Sequence, residues 1–120
     1  MIAELLGLKN QTNVFHWQTK AYAEHVALGG LYDKLDDLVD SFVETYSGYV
    51  GSVEQGSPAF ATSVTNYVDK NDLLAFCDFA IAYLKGPMTG AIAPDCTDLL
   101  NIVADMIAAF NHTKYLLRLA

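Results

Sequence analysis

Two histidines, His16 and His25, stand nine residues apart, and two acids, Asp40 and Glu44, follow at a spacing of four. Imidazole nitrogen and carboxylate oxygen together suit ferrous iron, manganese or zinc. Such a site, open to solvent, leaves coordination positions free for an oxidant. The carboxylates add a second motive. Acids at i and i+4 on a helix repel unless something neutralises them, and a bound cation does so. Read singly, each residue has a plainer role. His16 falls late on the core-facing side of a helical pattern, His25 near a helix start, and the acids on a flank that water could solvate. At a helix N-terminus a charged imidazole is disfavoured, so His25 is expected neutral, the form that ligates metals.

The elements that position these residues are helices. Leu5, Leu8, Thr12, Phe15 and Thr19 keep 3–4 spacing and predict a first helix over 2–19. Leu28, Leu31, Tyr32, Leu35, Leu38, Val39, Phe42, Tyr46 and Tyr49 predict a second over 24–50, interrupted by the weak formers Gly29 and Gly30. Gly48, Gly51, Gly56, Ser57 and Pro58 mark a break, and 51–70 reads as a crossing link with room for a short helix. Asn71 is the expected cap of a third helix over 71–85, which the run "KGPMTGAIAPD" closes. A fourth, over 96–118, carries Leu99, Leu100, Val103, Met106, Ile107, Phe110 and Leu117. Four helices with one long link predict an all-α bundle with a crossover between the second and third.

Asp33, Asp36, Asp37, Asp40 and Glu44 fall along one flank of the second helix. The Glu-x-x-His pair that builds a di-iron centre inside one bundle is absent. The four candidate ligands lie on two helices, so a site using all of them forms most easily between two copies. Trp17, beside His16, is expected either to pack in the core or to take up a stray oxidising equivalent.

Composition narrows the classes. The 120 residues fit one domain, spanning 1–120, and 52% are hydrophobic, which opposes disorder. Net charge is −7, with 14 acids against seven dispersed Lys and Arg, which disfavours nucleic acid as a partner. Cys77 and Cys96 are too few for a disulfide scaffold and read as reduced core residues. No stretch has the form of a signal peptide or a membrane span, so the expectation is a cytoplasmic protein with no membrane partner.

The chain resembles the Dps proteins, DNA-binding proteins from starved cells or mini-ferritins, within the ferritin-like superfamily. His16-Trp17 resembles that family's His-Trp pair, His25 its second histidine, and Asp40 and Glu44 its carboxylates 15 and 19 residues further on. Leu31-Tyr32-Asp33 and Val39-Asp40 follow the same pattern, and "TDLL" at 97–100 and "YLLR" at 115–118 resemble its last helix. The match covers residues 12–50 and, more loosely, 96–120. Many members carry another acid where this chain has Gly29, and a longer loop between the histidines. The resemblance implies a ferritin-like four-helix bundle that forms a two-fold dimer and usually a twelve-subunit shell. It further implies that His16 and His25 of one copy face Asp40 and Glu44 of another, binding iron and oxidising Fe(II) with peroxide or oxygen for storage as ferric mineral. The alternative expectation is a helical assembly or interaction module in which the metal site is reduced or lost.

Overall fold

The computed structural model describes residues 1–51 and 62–120. Among them there is no strand, and four helices account for nearly all the regular structure. Helix α1 spans Ile2–Gln18, α2 Tyr22–Val50, α3 Lys70–Tyr83 and α4 Thr97–Leu119. All four agree with the apolar spacing to within about two residues. The short helix allowed for in the link is not found between 62 and 69, which form no regular element. Its earlier part, 52–61, lies outside the described residues.

Helix α2 packs along both α1 and α4, and α3 packs along α4. Helices α1 and α2 are joined by three residues and α3 and α4 by a short loop, so each pair is antiparallel. Tyr49 near the end of α2 reaches Asp98 at the start of α4, whereas Lys70 at the start of α3 reaches the Ala120 carbonyl at the end of α4, so α3 begins at the opposite end from where α2 stops, which is a crossover connection between the two pairs. The core lies between them: Leu28, Leu31, Leu35 and Phe42 of α2 meet Leu73, Cys77 and Ala80 of α3 and Val103, Met106, Phe110 and Leu117 of α4, all at most 2% exposed. Phe76 stands edge-on to both Phe15 and Phe110, which ties α1 to α4 through an α3 aromatic.

The helix ends have local causes. Gly51 closes α2 at φ +94°, a conformation open to glycine, and its N–H donates to the Ser47 carbonyl. The expected cap at Asn71 is corrected to Asp69. The Asp69 carboxylate accepts from the Asp72 N–H, and the Asp72 carboxylate accepts from the Asp69 N–H, a reciprocal capping box. Asn71 is inside the helix. The expected stop at "KGPM" is also corrected. Leu84–Met88 forms a π turn that carries Pro87 without ending the helix. The Thr89 hydroxyl donates to the Leu84 carbonyl at 2.7 Å, and Leu84 and Met88 both stay in the core. Cys77 is a core residue as expected, but Cys96 is half-exposed at the start of α4. Among the described residues no helix is long and apolar enough to cross a membrane.

Candidate metal-binding corner

Only Thr19, Lys20 and Ala21 separate α1 from α2, so the last turn of one helix lies against the first turn of the other. His16 and His25 come together there. Their rings stack with centroids 3.9 Å apart and planes 15° from parallel. The His16 Nδ1–H donates to the His25 carbonyl at 2.7 Å, and the His25 Nδ1–H donates to the His16 carbonyl at 2.8 Å. A carbonyl can accept and never donate, so both Nδ1 atoms must carry the proton. In the neutral rings Nε2 is then the lone-pair nitrogen on both. Among the described residues neither Nε2 makes a hydrogen bond.

This is the arrangement in which proteins prepare a histidine for a metal: one ring nitrogen tied to a backbone carbonyl, the other left basic and aimed. It also serves the fold. The His16 carbonyl is one of the last four of α1 and has no partner further along the helix, so the His25 ring caps it. His16 is thus at the helix junction and half-exposed, and its expected place on the core-facing side is corrected.

A buried carboxylate anchors the corner from below. Glu24 is 4% exposed, in the first turn of α2, where the helix end favours negative charge. Its Oε1 accepts from the Thr19 hydroxyl at 2.7 Å and from the Tyr67 hydroxyl at 3.2 Å. Burial and the neighbouring Glu24 charge raise the Tyr67 phenol above its ordinary value, so it stays protonated and remains a donor. Glu24 was not singled out by sequence. Its signal there is its place in the first turn of α2, five residues after a threonine.

Asp40 and Glu44 are exposed on α2, about 60° and 100° around the helix from His25. They share its flank but stand about 22 and 28 Å further along the axis at 1.5 Å per residue. One chain therefore does not join them to the histidines. Among the described residues no three His, Cys, Asp or Glu side chains converge. Asp40 lines a shallow hollow with Ile2, Leu6, Lys9, Asp36, Asp37 and Val43, where Lys9 pairs with Asp36 at 3.2 Å. Trp17 is 68% exposed beside the corner, as are Tyr22 at 81% and Val26 at 51%, so a core role for Trp17 is not found.

Comparison with known proteins corrects the resemblance drawn from these residues. Over 52 residues the chain is 40% identical to a protein of Enterobacteria phage T4 described as an uncharacterized 14.6 kDa protein in the mobD-ri intergenic region. That match covers 40% of this chain and 41% of the phage protein, so the chain spans about two fifths of the length of the curated relative it matches. No solved structure matches. The profile that matches is neither Dps nor ferritin-like. The likeness rested on four polar positions and on short apolar stretches of the kind that any amphipathic helix repeats. His16 and His25 clamp a tight helix turn, and Asp40 and Glu44 lie on an exposed flank, so local structure accounts for all four residue types without shared descent. The matching profile, described as a family of unknown function, DUF5856, covers residues 16–117, and the chain belongs to that family.

Proposed function

We propose that this protein binds divalent transition metal ions at the Nε2 atoms of His16 and His25, one ion to each ring because stacked rings cannot aim both lone pairs at one ion, and that Asp40 and Glu44 of a second copy complete the site. The observation that supports the reading is the reciprocal Nδ1–H bonding, which leaves both Nε2 lone pairs unused at one solvent-facing corner. Two imidazoles and two carboxylates suit iron, manganese or zinc better than magnesium or calcium. With iron as substrate, the reaction is oxidation of Fe(II), two ferrous ions each giving one electron to one peroxide. The carboxylates stabilise the ferric product, and the neutral histidines hold the ferrous ion without adding charge. The shared flank of α2 supports a two-fold pairing. Two antiparallel copies of the helix, crossing near residue 33, bring residue 25 of one beside residues 40–44 of the other. The crossover between two antiparallel helix pairs supports a ferritin-like layout of the bundle as architecture. Nucleic acid is not a proposed partner, because seven dispersed cations face 14 acids.

The test is Co(II) titration followed by Fe(II) oxidation on adding peroxide. The parent should bind Co(II) and oxidise Fe(II) faster than buffer. His25→Ala and Asp40→Ala should each lose most of both, with helical content unchanged. An active parent matched by either variant sinks the proposal, and so does a parent that stays monomeric at micromolar concentration with Co(II) present.

A second reading has its own observation. Trp17, Tyr22 and Val26 expose apolar surface at the same corner, which suits a self-association module with a reduced or lost metal site. Association without Co(II) binding selects that reading.

A further inference from the structure

Gly29 and Gly30 are neighbours in the interior of α2, where glycine is a poorer choice than alanine. Their surroundings differ. A Cβ at Gly30 would meet nothing within 4 Å. A Cβ at Gly29 would lie 2.8 Å from His16 Cε1, 3.2 Å from Nδ1 and 3.6 Å from Nε2. The N–C–N edge of the His16 imidazole therefore rests against bare α2 backbone. The ring is held on two other sides. Its Nδ1–H is held at 2.7 Å by the His25 carbonyl, and one face is covered by the His25 ring.

We propose that Gly29 is a positioning residue for the histidine pair: it supplies the seat that fixes the His16 tautomer and keeps His16 Nε2 uncovered. A methyl group at residue 29 has to push the ring outward. That lengthens the Nδ1–H bond and unstacks the rings, so the proton is no longer assigned to Nδ1. The same methyl group stands beside Nε2 and narrows its approach. The metal-affinity part of this inference rests on the metal-binding reading above; the tautomer part does not.

The experiment uses the full chain without metal, ¹⁵N-labelled, and reads the imidazole nitrogens by long-range ¹H–¹⁵N correlation. In the parent both rings should carry the proton on Nδ1. Gly29→Ala should move His16 toward the Nε2–H form, whereas Gly30→Ala should leave both rings as in the parent and raise the melting temperature. Added Co(II) should bind Gly29→Ala roughly 10–100-fold more weakly than the parent, the usual cost of disturbing a residue that orients a ligand. A Gly29→Ala protein whose His16 nitrogens match those of the parent overturns the proposal. If Gly29→Ala does not fold, His16→Ala/Gly29→Ala decides, because the clash is with the His16 ring. That double variant should fold and melt no lower than His16→Ala, and its failure to do so also overturns the proposal. A tautomer change in Gly29→Ala with no Co(II) binding by any protein upholds the seat and removes the metal-binding reading.

Discussion

Helix α1 meets the rest of the molecule along two seams built on different principles. Toward α2 the contact is helix against helix, with the histidine clamp at the far end. Toward α3 the Phe15–Phe76 contact is overlaid by the irregular segment 62–69. Two glutamines one heptad apart hold that segment. Gln11 donates to the Thr65 carbonyl at 2.9 Å and accepts from its N–H at 2.8 Å. Gln18 accepts from the Tyr67 N–H at 2.7 Å and donates to the Asn66 side chain. A side-chain amide has the same donor and acceptor as a peptide group, so each glutamine stands in for a neighbouring strand. The first seam is apolar and repeats with the helix. The second joins an aromatic contact, Phe15 edge-on to Phe76 and Tyr67, to a polar layer in which two side chains satisfy a backbone that has no sheet to join.

The sharpest break of this contrast should come from the apolar side. Phe42→Ala removes a fully buried ring where α2 meets the core and is expected to cost about 3–5 kcal/mol in urea unfolding. A cost near 1 kcal/mol would show that the helix seam is looser than its burial implies. Next comes the polar seam. Gln11→Leu keeps the bulk but leaves the Thr65 N–H and carbonyl without partners, an expected loss of about 1–3 kcal/mol. Gln18, exposed on the same face, should cost less when changed to alanine. No loss at either position would mean that the segment is held by something other than its glutamines.

The clamp should rank third for stability. Its hydrogen bonds are exposed, so His25→Ala is expected to cost about 1 kcal/mol or less while removing Co(II) binding. A loss as large as that at Phe42 would make the histidines structural first. The smallest effect lies outside both seams and appears in alkali. The Tyr49 hydroxyl donates to Asp98 at 2.8 Å, and that carboxylate pushes the phenol up from 10.0 to about 12. Burial pushes the Cys77 thiol up from 9.0 to about 12. A group that holds its proton more tightly when folded contributes stability that is complete below its unfolded pKa and is lost as pH climbs through the folded one. The melting temperature should therefore hold from neutrality to about pH 9 and fall above it. Tyr49→Phe should remove one phenolate transition near 12 and soften the fall. An unchanged alkaline profile in that variant would show that the Tyr49–Asp98 contact does not persist in solution.

What could be read from the sequence follows the same division. The four helices were legible because their apolar residues recur at the helical period. The start of α3 was legible too, in Asp69-x-x-Asp72, but Asn71 lies closer to the first apolar residue and drew the expectation there. Pro87 reads as a stop because proline breaks an α ladder, and nothing local announces that a π turn will absorb it. At the candidate site, the helix bounds read over 2–19 and 24–50 put His16 and His25 on either side of a short link, and the three-residue turn that stacks them is seen only in the structure. Their mutual hydrogen bonds were not legible, because the roles of two ring nitrogens depend on geometry. Gly29 read as a missing acid, when the position needs room for a ring. Gln11 and Glu24 were missed because burial of a polar side chain depends on what lies over it, and both are covered from residues 62–69, more than forty positions away.

The clamp also bears on how the molecule opens. Helices α1 and α2 are two arms fastened at one end, where two carbonyls, two rings and a three-residue turn must all let go together. At the other end stand Met1, whose ammonium meets Glu4, and the glycine-terminated end of α2. Local opening follows the weakest fastening, so the pair should part like a clothes-peg, from the end away from the clamp toward the pinned corner. Amide exchange with deuterium should then run fastest near residues 5–7 and 47–50 and slow toward residues 14–16. The corner would be among the last parts of this helix pair to come apart, so a surface for a ligand or a second copy would outlast the first openings of the bundle.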